Sequence, residues 1–103
     1  MSKPVYDKPT GVSAAYHTDT TMEVVFRTSP YANFFTVKYS LNSDMSSAKY
    51  YKSQDINANA ISLEDLIPGR RYYIRVAVSN WEGIRLSPYS TKIFQNTDAT
   101  YGV

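Results

Sequence analysis

The chain has 103 residues, of which 43% are hydrophobic and 19% charged, a composition typical of one globular domain with a single core. It contains no cysteine and one histidine, His17, which excludes disulfides, thiolate chemistry and any site that needs two imidazoles. Eleven Lys and Arg against nine Asp and Glu give a net charge of +2, too small for a non-specific phosphate binder.

The N-terminal stretch, residues 1–8, has no alternating pattern and predicts an extended arm, and residues 98–103 predict a polar C-terminal tail. The arm lacks the apolar run of about 7–15 residues that a secretory signal needs. No later stretch approaches the ~20 apolar residues of a membrane span. We therefore expect a chain that is made without secretion and does not insert into a membrane.

Between these ends, apolar and polar residues alternate with a period of two, the pattern of half-buried β-strands. The alternation predicts strands at Met22–Arg27, Phe35–Ser40, Lys49–Lys52, Ala60–Leu63 and Tyr72–Ser79, and a last strand around Ile93 and Phe94. The short strand Lys49–Lys52 begins and ends with a lysine, which is typical of an exposed edge strand. No stretch has helical spacing over three turns. Six or seven short strands predict an all-β, antiparallel β-sandwich.

A more specific pattern follows the fourth of these strands, in the run Leu66-Ile67-Pro68-Gly69-Arg70-Arg71-Tyr72. Pro68 fixes φ and Gly69 permits a conformation that a Cβ would hinder, so the pair predicts a sharp turn between sheets. Tyr72 then starts the longest strand, where its hydroxyl can bond back to the backbone and pin the corner. With Leu66 before the turn and Asn80 and Gly83 after the strand, this pattern resembles the tyrosine corner of a fibronectin type III domain.

The resemblance extends from Pro9 to about Thr97. Phe35, Val37 and Tyr39 match the family's aromatic-x-aliphatic-x-Tyr strand, and Ser87-Pro88 resembles the start of its last strand. Phe26 stands where the family usually has its core tryptophan. The resemblance implies a seven-stranded Greek-key β-sandwich over residues 9–97, and a binding or spacer role because few members are catalytic. It does not name a ligand.

Catalytic, cofactor and metal sites are not predicted. The resemblance implies an opening strand at Pro9–Ala15, so His17 and Asp19 would lie in the loop between the first two strands of the sandwich. No cleft is implied there, and His17 is interpreted as a solvated loop residue. Asp44, Asp55 and Asn57 do not have the spacing of a calcium loop. The four glycines are scattered, which excludes a phosphate-cradling loop. Glu64 and Asp65 are expected to form only surface ion pairs, with Arg70 or Arg71.

One basic surface is predicted on the sheet, where Lys38 and Arg75 should point outward from neighbouring strands with Tyr73 beside them. Basic residues interleaved with an aromatic residue can bind single-stranded nucleic acid. Two or three charges would give only a weak, shallowly salt-dependent interaction, so we expect no nucleic-acid partner.

The aromatic residues that are not expected in the core indicate a protein-binding surface. Phe26, Phe35, Tyr39 and Tyr72 should point inward, whereas many other aromatics lie in loops or at outward positions. Three loops should meet at one end of the sandwich, and exposed Trp, Tyr and Arg dominate interface hot spots. The candidate partner-binding residues at this end are Tyr31, Asn33, Phe34, Ile56, Asn57, Trp81, Ile84 and Arg85. The alternative is that Phe34 and Trp81 fold over the core as a lid.

Three functions remain open, all without an enzymatic activity. The first is an accessory protein of a bacteriophage particle, a capsid decoration or a neck or tail component, whose partner is a shell or tail subunit and whose location is the virion. This hypothesis rests on a module that begins at a methionine with no signal. The second is an excised module of a larger adhesion, receptor or extracellular enzyme chain. The third is a carbohydrate-binding module that stacks sugars on Trp81 and exposed tyrosines.

Overall fold

The computed structural model describes residues 6–28, 32–53 and 59–99. Seven strands occur in this part of the chain: β1 (Thr10–His17), β2 (Met22–Arg27), β3 (Phe34–Ser40), β4 (Lys49–Lys52), β5 (Ala60–Leu63), β6 (Arg71–Ser79) and β7 (Ile93–Asn96). They form two antiparallel sheets, one with the order β1-β2-β5 and the other with the order β4-β3-β6-β7. The predicted all-β sandwich is confirmed.

The core lies between the two sheets and is built from the alternate residues that the sequence pattern predicted to point inward. Val24 and Leu63 from the smaller sheet and Phe35, Ile74 and Val76 from the larger one have no exposed surface. The rings of Phe26 and Phe35 pack at 4.8 Å with a tilt of 59°, an arrangement that aromatic pairs favour. Phe26 and Tyr72 are buried as predicted, and Tyr39 is half-buried against the same cluster.

The first strand, β1, is irregular. Its pairing with β2 contains two register shifts, one between Thr10 and Ser13 and the other between Ala14 and Tyr16. Gly11 has a φ of +60°, the left-handed conformation that a β-bulge places on glycine. Just before the strand, Pro9 is fully buried and Tyr6 packs against the core. The described part of the predicted arm therefore lies on its own domain.

The corner before β6 forms as the sequence predicted. Gly69 has a φ of +65°, and the backbone amide of Ile67 donates a hydrogen bond of 2.9 Å to the Tyr72 hydroxyl. Thr97, directly after β7, closes the same corner: its hydroxyl donates to the carbonyl of Ile67 at 2.6 Å and accepts from the amide of Arg70 at 3.1 Å. The corner thus joins the start of β6 to the end of β7.

Two polar interactions at this end differ from expectation. His17 is the last residue of β1, not a free loop residue, and its Nδ1 lies 2.8 Å from a carboxylate oxygen of Asp98, a residue assigned to the tail. The backbone amide of Asp98 also donates to the carbonyl of Thr18, and this bond keeps Asp98 beside His17. Within the described residues, Glu64 and Asp65 form no ion pair with Arg70 or Arg71. Arg71 instead binds Asn96 and stacks on the ring of Phe94.

Candidate functional site

The loop end of the sandwich is assembled by the pairing of β3 with β6. Phe34, the first residue of β3, lies opposite Ser79, the last residue of β6, so the loops that precede and follow these strands emerge together. The residues that flank the third loop, Ser53 and Asn59, lie at the same end. The backbone amide of Phe35 donates to the Ser53 hydroxyl, and the backbone amide of Phe26 donates to the carbonyl of Asn59. Three of the predicted partner-binding residues, Tyr31, Ile56 and Asn57, lie outside the described residues.

The turn after β6 is held by one side chain. The carboxamide oxygen of Asn80 accepts hydrogen bonds of 2.9 Å from the backbone amides of both Glu82 and Ile84. The backbone of Asn80 pairs with Ile84 as well, and Gly83 adopts a φ of +89° at the tip. This bonding fixes the turn before any partner arrives, which lowers the conformational entropy that binding would cost.

Large apolar side chains project from this turn into solvent. Trp81 is 68% exposed, Ile84 57% and Leu86 41%. Trp81 and Leu86 line a groove of about 210 Å³. It is also lined by Asn33, directly before β3, by Phe34 at the start of β3 and by Tyr6 from the N-terminal segment. We call the six residues Tyr6, Asn33, Phe34, Trp81, Ile84 and Leu86 the loop-end surface.

The structure brings together most, but not all, of the predicted residues that it describes. Asn33, Phe34 and Trp81 line one groove, and Ile84 lies in the same turn as Trp81. The prediction missed Tyr6 and Leu86. The one signal for Tyr6 in the sequence is that it is an aromatic residue only three positions before Pro9, where the domain begins. Its contact with the groove depends on how the arm folds back, and no local pattern encodes this.

Arg85 is placed differently from the rest. It pairs with Ser79 at the end of β6, and its guanidinium lies 4.8 Å from the ring centre of Tyr89, on the outer face of the four-stranded sheet. It lines a separate groove of about 270 Å³ with Tyr50 of β4 and Gly83. Arg85 therefore contributes to the sheet face and does not line the loop-end groove.

The outer sheet face carries the predicted basic pair. Lys38 of β3 lies directly opposite Arg75 of β6, and Tyr50 of β4 lies opposite Lys38 on its other side. The Lys38 ammonium is 5.9 Å from the ring centre of Tyr50 and 5.3 Å from that of Tyr89. Burial raises the pKa of the Tyr89 hydroxyl, and the nearby Tyr50 raises it further. Tyr50 and the next residue, Tyr51, are both exposed.

The described residues contain no group of three His, Asp or Glu side chains placed to hold a metal ion. In the part of the chain that the structure covers, no helix has the length and apolarity to cross a membrane.

Comparisons with known proteins rest on structure alone, because no protein-family model and no curated protein matches the sequence. The chain superposes on the solution structure of the fn3 domain of human contactin 1 with a TM-score of 0.78 and 19% identity, covering 99% of this chain and 84% of that one. The FN5 domain of Drosophila Lar gives a TM-score of 0.72 at 19% identity, over 93% of this chain and 100% of that domain.

A third structure contains several such domains in one chain. The FN1–FN3 fragment of chicken CNTN1 matches with a TM-score of 0.75 and 23% identity, over 92% of this chain but only 33% of the fragment. Identities this low establish the fold and nothing finer. The predicted corner, the two-sheet topology and these superpositions agree: the chain is a β-sandwich with the fibronectin type III fold.

Proposed function

We propose that this protein is a non-enzymatic binding module that docks onto a partner protein through its loop-end surface. The observation that carries the proposal is Trp81, the chain's single tryptophan, which is 68% exposed on a turn fixed by Asn80. Tryptophan is the residue type most enriched in binding hot spots, and a rigid turn presents it at little entropic cost. Beside it, the groove formed with Leu86 and Phe34 can receive a partner side chain.

The lid alternative is disfavoured by exposure. A side chain that sealed the end of the core would be mostly buried, as Ala32 and Phe35 are at the same end. Phe34 is half-buried and lines the groove, so it can serve as part of the groove's floor. Trp81, Ile84 and Leu86 are instead exposed within six residues of the chain, and clustered exposed apolar side chains mark interaction sites.

The setting that we propose first is a large assembly, with the module as an accessory protein of a bacteriophage particle and a shell or tail subunit as its partner. In support, the molecule has two chemically different surfaces, the apolar loop end and the basic sheet face, as a subunit between two neighbours requires. The alternative is one module of a longer adhesion, receptor or extracellular chain. The tandem FN1–FN3 arrangement in the chicken CNTN1 fragment favours that alternative.

Carbohydrate binding is the weakest of the three proposals. Sugar rings stack on exposed, roughly coplanar aromatic faces. The exposed aromatics among the described residues are spread over the molecule: Tyr16 on β1, Tyr50 and Tyr51 on opposite faces of β4, Trp81 in the turn and Phe94 on β7. The rings of Tyr50 and Phe94 also have a cationic side chain over one face.

The partner can be identified by photo-crosslinking from two positions. A benzoylphenylalanine introduced at Trp81 in the native source should capture a defined protein that the same group at Tyr16 does not. Tyr16 is a matched control because it is an aromatic residue, 72% exposed, on β1 outside the loop-end groove. The captured protein is then produced and its affinity measured directly.

Trp81→Ala should weaken that affinity by at least about 30-fold, the effect of losing a hot spot worth ~2 kcal/mol. Tyr16→Ala should leave it within about twofold. Equal affinities of the two variants would overturn the proposal. Size fractionation of the native source, followed by mass spectrometry, separates the settings. An intact chain in a fast-sedimenting particle supports the assembly, whereas peptides of a longer polypeptide support the module of a larger chain.

A further inference from the structure

The outer face of the four-stranded sheet has an unusual electrostatic arrangement. Lys38 and Arg75 are directly opposite one another on adjacent strands, and like charges at such positions destabilise a sheet. Both side chains are half-buried, which reduces screening by solvent. Arg85 adds a third cation over the Tyr89 ring. Among the described residues, no carboxylate lies within ion-pair distance of Lys38, Arg75 or Arg85.

The aromatic residues of this face only partly compensate for that repulsion. Lys38 lies between the rings of Tyr50 and Tyr89, and each exposed cation–π contact stabilises by roughly 0.5–1 kcal/mol. Arg75 has no such ring contact, and its Nε is buried without a hydrogen-bond partner in the described part of the chain. A buried donor of this kind is satisfied in most proteins. Glu82 lines the same groove as Arg85, Tyr50 and Tyr89, but it forms no ion pair with Lys38, Arg75 or Arg85, so the charges of these three cations are not paired among the described residues.

We propose that this basic sheet face, formed by Lys38, Tyr50, Arg75, Arg85 and Tyr89, binds an acidic segment of a partner protein. Charge complementarity identifies the occupant. The guanidinium groups of Arg75 and Arg85 match carboxylates in a two-pronged geometry, and the phenol hydroxyls of Tyr50 and Tyr89 donate further hydrogen bonds. This surface is separate from the loop-end groove, so it is a second binding site and does not depend on the first.

The geometry favours a short acidic peptide over a nucleic acid. Cations already cover one face of the Tyr50 and Tyr89 rings, which leaves fewer faces for base stacking. Three clustered cations would neutralise few phosphates, whereas affinity for nucleic acid depends on neutralising many. Adjacent strands lie about 4.8 Å apart, and alternate side chains of an extended peptide repeat at ~6.8 Å. Two or three carboxylates of such a peptide therefore span the cluster.

The test is an NMR titration of the isotope-labelled full chain with a synthetic peptide of alternating glutamate and alanine, twelve residues long. The backbone amides of β3, the central part of β6 and Tyr50 should shift, and the same peptide with glutamine in place of glutamate should cause no shift. Raising the salt concentration from about 50 to 200 mM should weaken the binding, since the contacts are between charges near the surface.

Variants locate the effect on the face. Lys38→Gln combined with Arg85→Gln should weaken peptide binding on the order of tenfold, as expected for two lost charge pairs. The control, Lys8→Gln combined with Arg70→Gln, makes the same change in net charge at exposed positions off this face and should retain the affinity. Trp81→Ala should bind the peptide normally, which separates this result from the test of the loop-end surface.

Three outcomes would overturn the proposal: no shift at millimolar peptide, equal weakening in the two double variants, or equal binding of the glutamine peptide. A heparin fragment and a short DNA duplex are titrated in parallel. If either binds the face more tightly than the glutamate peptide at equal charge, the occupant is a polyanion of another class and the assignment to an acidic protein segment is wrong.

Discussion

Tyr72 shows how one side chain can secure a change of sheet. Its ring is buried in the core and its hydroxyl accepts the backbone amide of Ile67, five residues earlier. The bond ties the turn at Pro68 and Gly69 to the start of β6. Burial also raises the pKa of the neighbouring Tyr39 hydroxyl, and Tyr72 and Asp65 raise it further.

Tyr72→Phe should therefore lower the free energy of unfolding by about 1 kcal/mol, since it removes one hydrogen bond and leaves the packing of the ring intact. Urea denaturation followed by tryptophan fluorescence measures the change. Tyr73→Phe is the control, because Tyr73 points to the outer face, and it should have a much smaller effect. Equal losses in the two variants would show that the corner bond contributes nothing specific.

Asp44 provides a pH-dependent contribution to stability. Its carboxylate accepts a hydrogen bond of 2.9 Å from the backbone amide of Ser46, and hydrogen bonding from Ser46 holds the pKa of Asp44 below its usual value. A lowered pKa in the folded state means that the unfolded chain binds protons first as the pH falls. The contribution is therefore present above the unfolded pKa and is lost as the pH falls through the folded one.

Asp44→Asn should be slightly less stable than the parent chain at pH 7, and the difference should shrink as the pH falls below about 4, the ordinary pKa of an aspartate in an unfolded chain. Urea denaturation at several pH values gives both curves. Glu64→Gln, at an exposed position, serves as the control. A stability difference that stays constant with pH would contradict the assignment.

Among the strands, β6 shows how backbone hydrogen bonds are satisfied when a proline interrupts the neighbouring segment. Pro88 has no amide proton to donate, so the segment beside the second half of β6 cannot form a regular ladder. Two hydroxyls substitute for carbonyls: Ser87 accepts the amide of Val78 at 2.9 Å, and Ser90 accepts the amide of Val76 at 2.8 Å. The amides of Leu86 and Ser90 donate back to the carbonyls of Val78 and Val76, so the pairing continues past the proline.

Ser90→Ala should lower the free energy of unfolding by about 1–3 kcal/mol, because it leaves the buried amide of Val76 without an acceptor. Ser62→Ala, at an exposed position on β5, is the matched control and should change stability by less than about 0.5 kcal/mol. Thermal and urea denaturation of both variants test the prediction. If Ser90→Ala were as stable as the control, another acceptor must serve Val76.

At the scale of the whole molecule, the sandwich is held by pairings between strands that are distant in the chain. β3 pairs with β6, and β2 pairs with β5, across intervening strands and loops. The His17–Asp98 bond joins the end of the first strand, β1, to the residues after the last strand, β7. The loops between these strands must close, at a cost in chain entropy, before the contacts between the strands stabilise the fold. The topology therefore implies slow folding.

We expect cooperative two-state folding with a time constant in the range of milliseconds to seconds, as for other all-β sandwiches of this size. Stopped-flow fluorescence of the refolding chain measures it. Ile74→Val in the centre of β6 should cost about 0.5–1.5 kcal/mol and leave a single kinetic phase. Folding within microseconds, or a probe-dependent time course, would contradict the expectation.

Six of the seven strands, all but β1, and the corner at Pro68-Gly69 were predictable from the sequence, because period-two burial and backbone chemistry are local signals. The sequence also indicated that Trp81 and Phe34 share an end and that Lys38 and Arg75 share a face, because those inferences need only the strand register. Which outward side chains meet depends on how the whole chain folds. Tyr6 lines the groove below Trp81, Arg85 lies over Tyr89 on the sheet face, and His17 reaches Asp98. These contacts join segments far apart in the chain, and their geometry is set by the packing of the whole core.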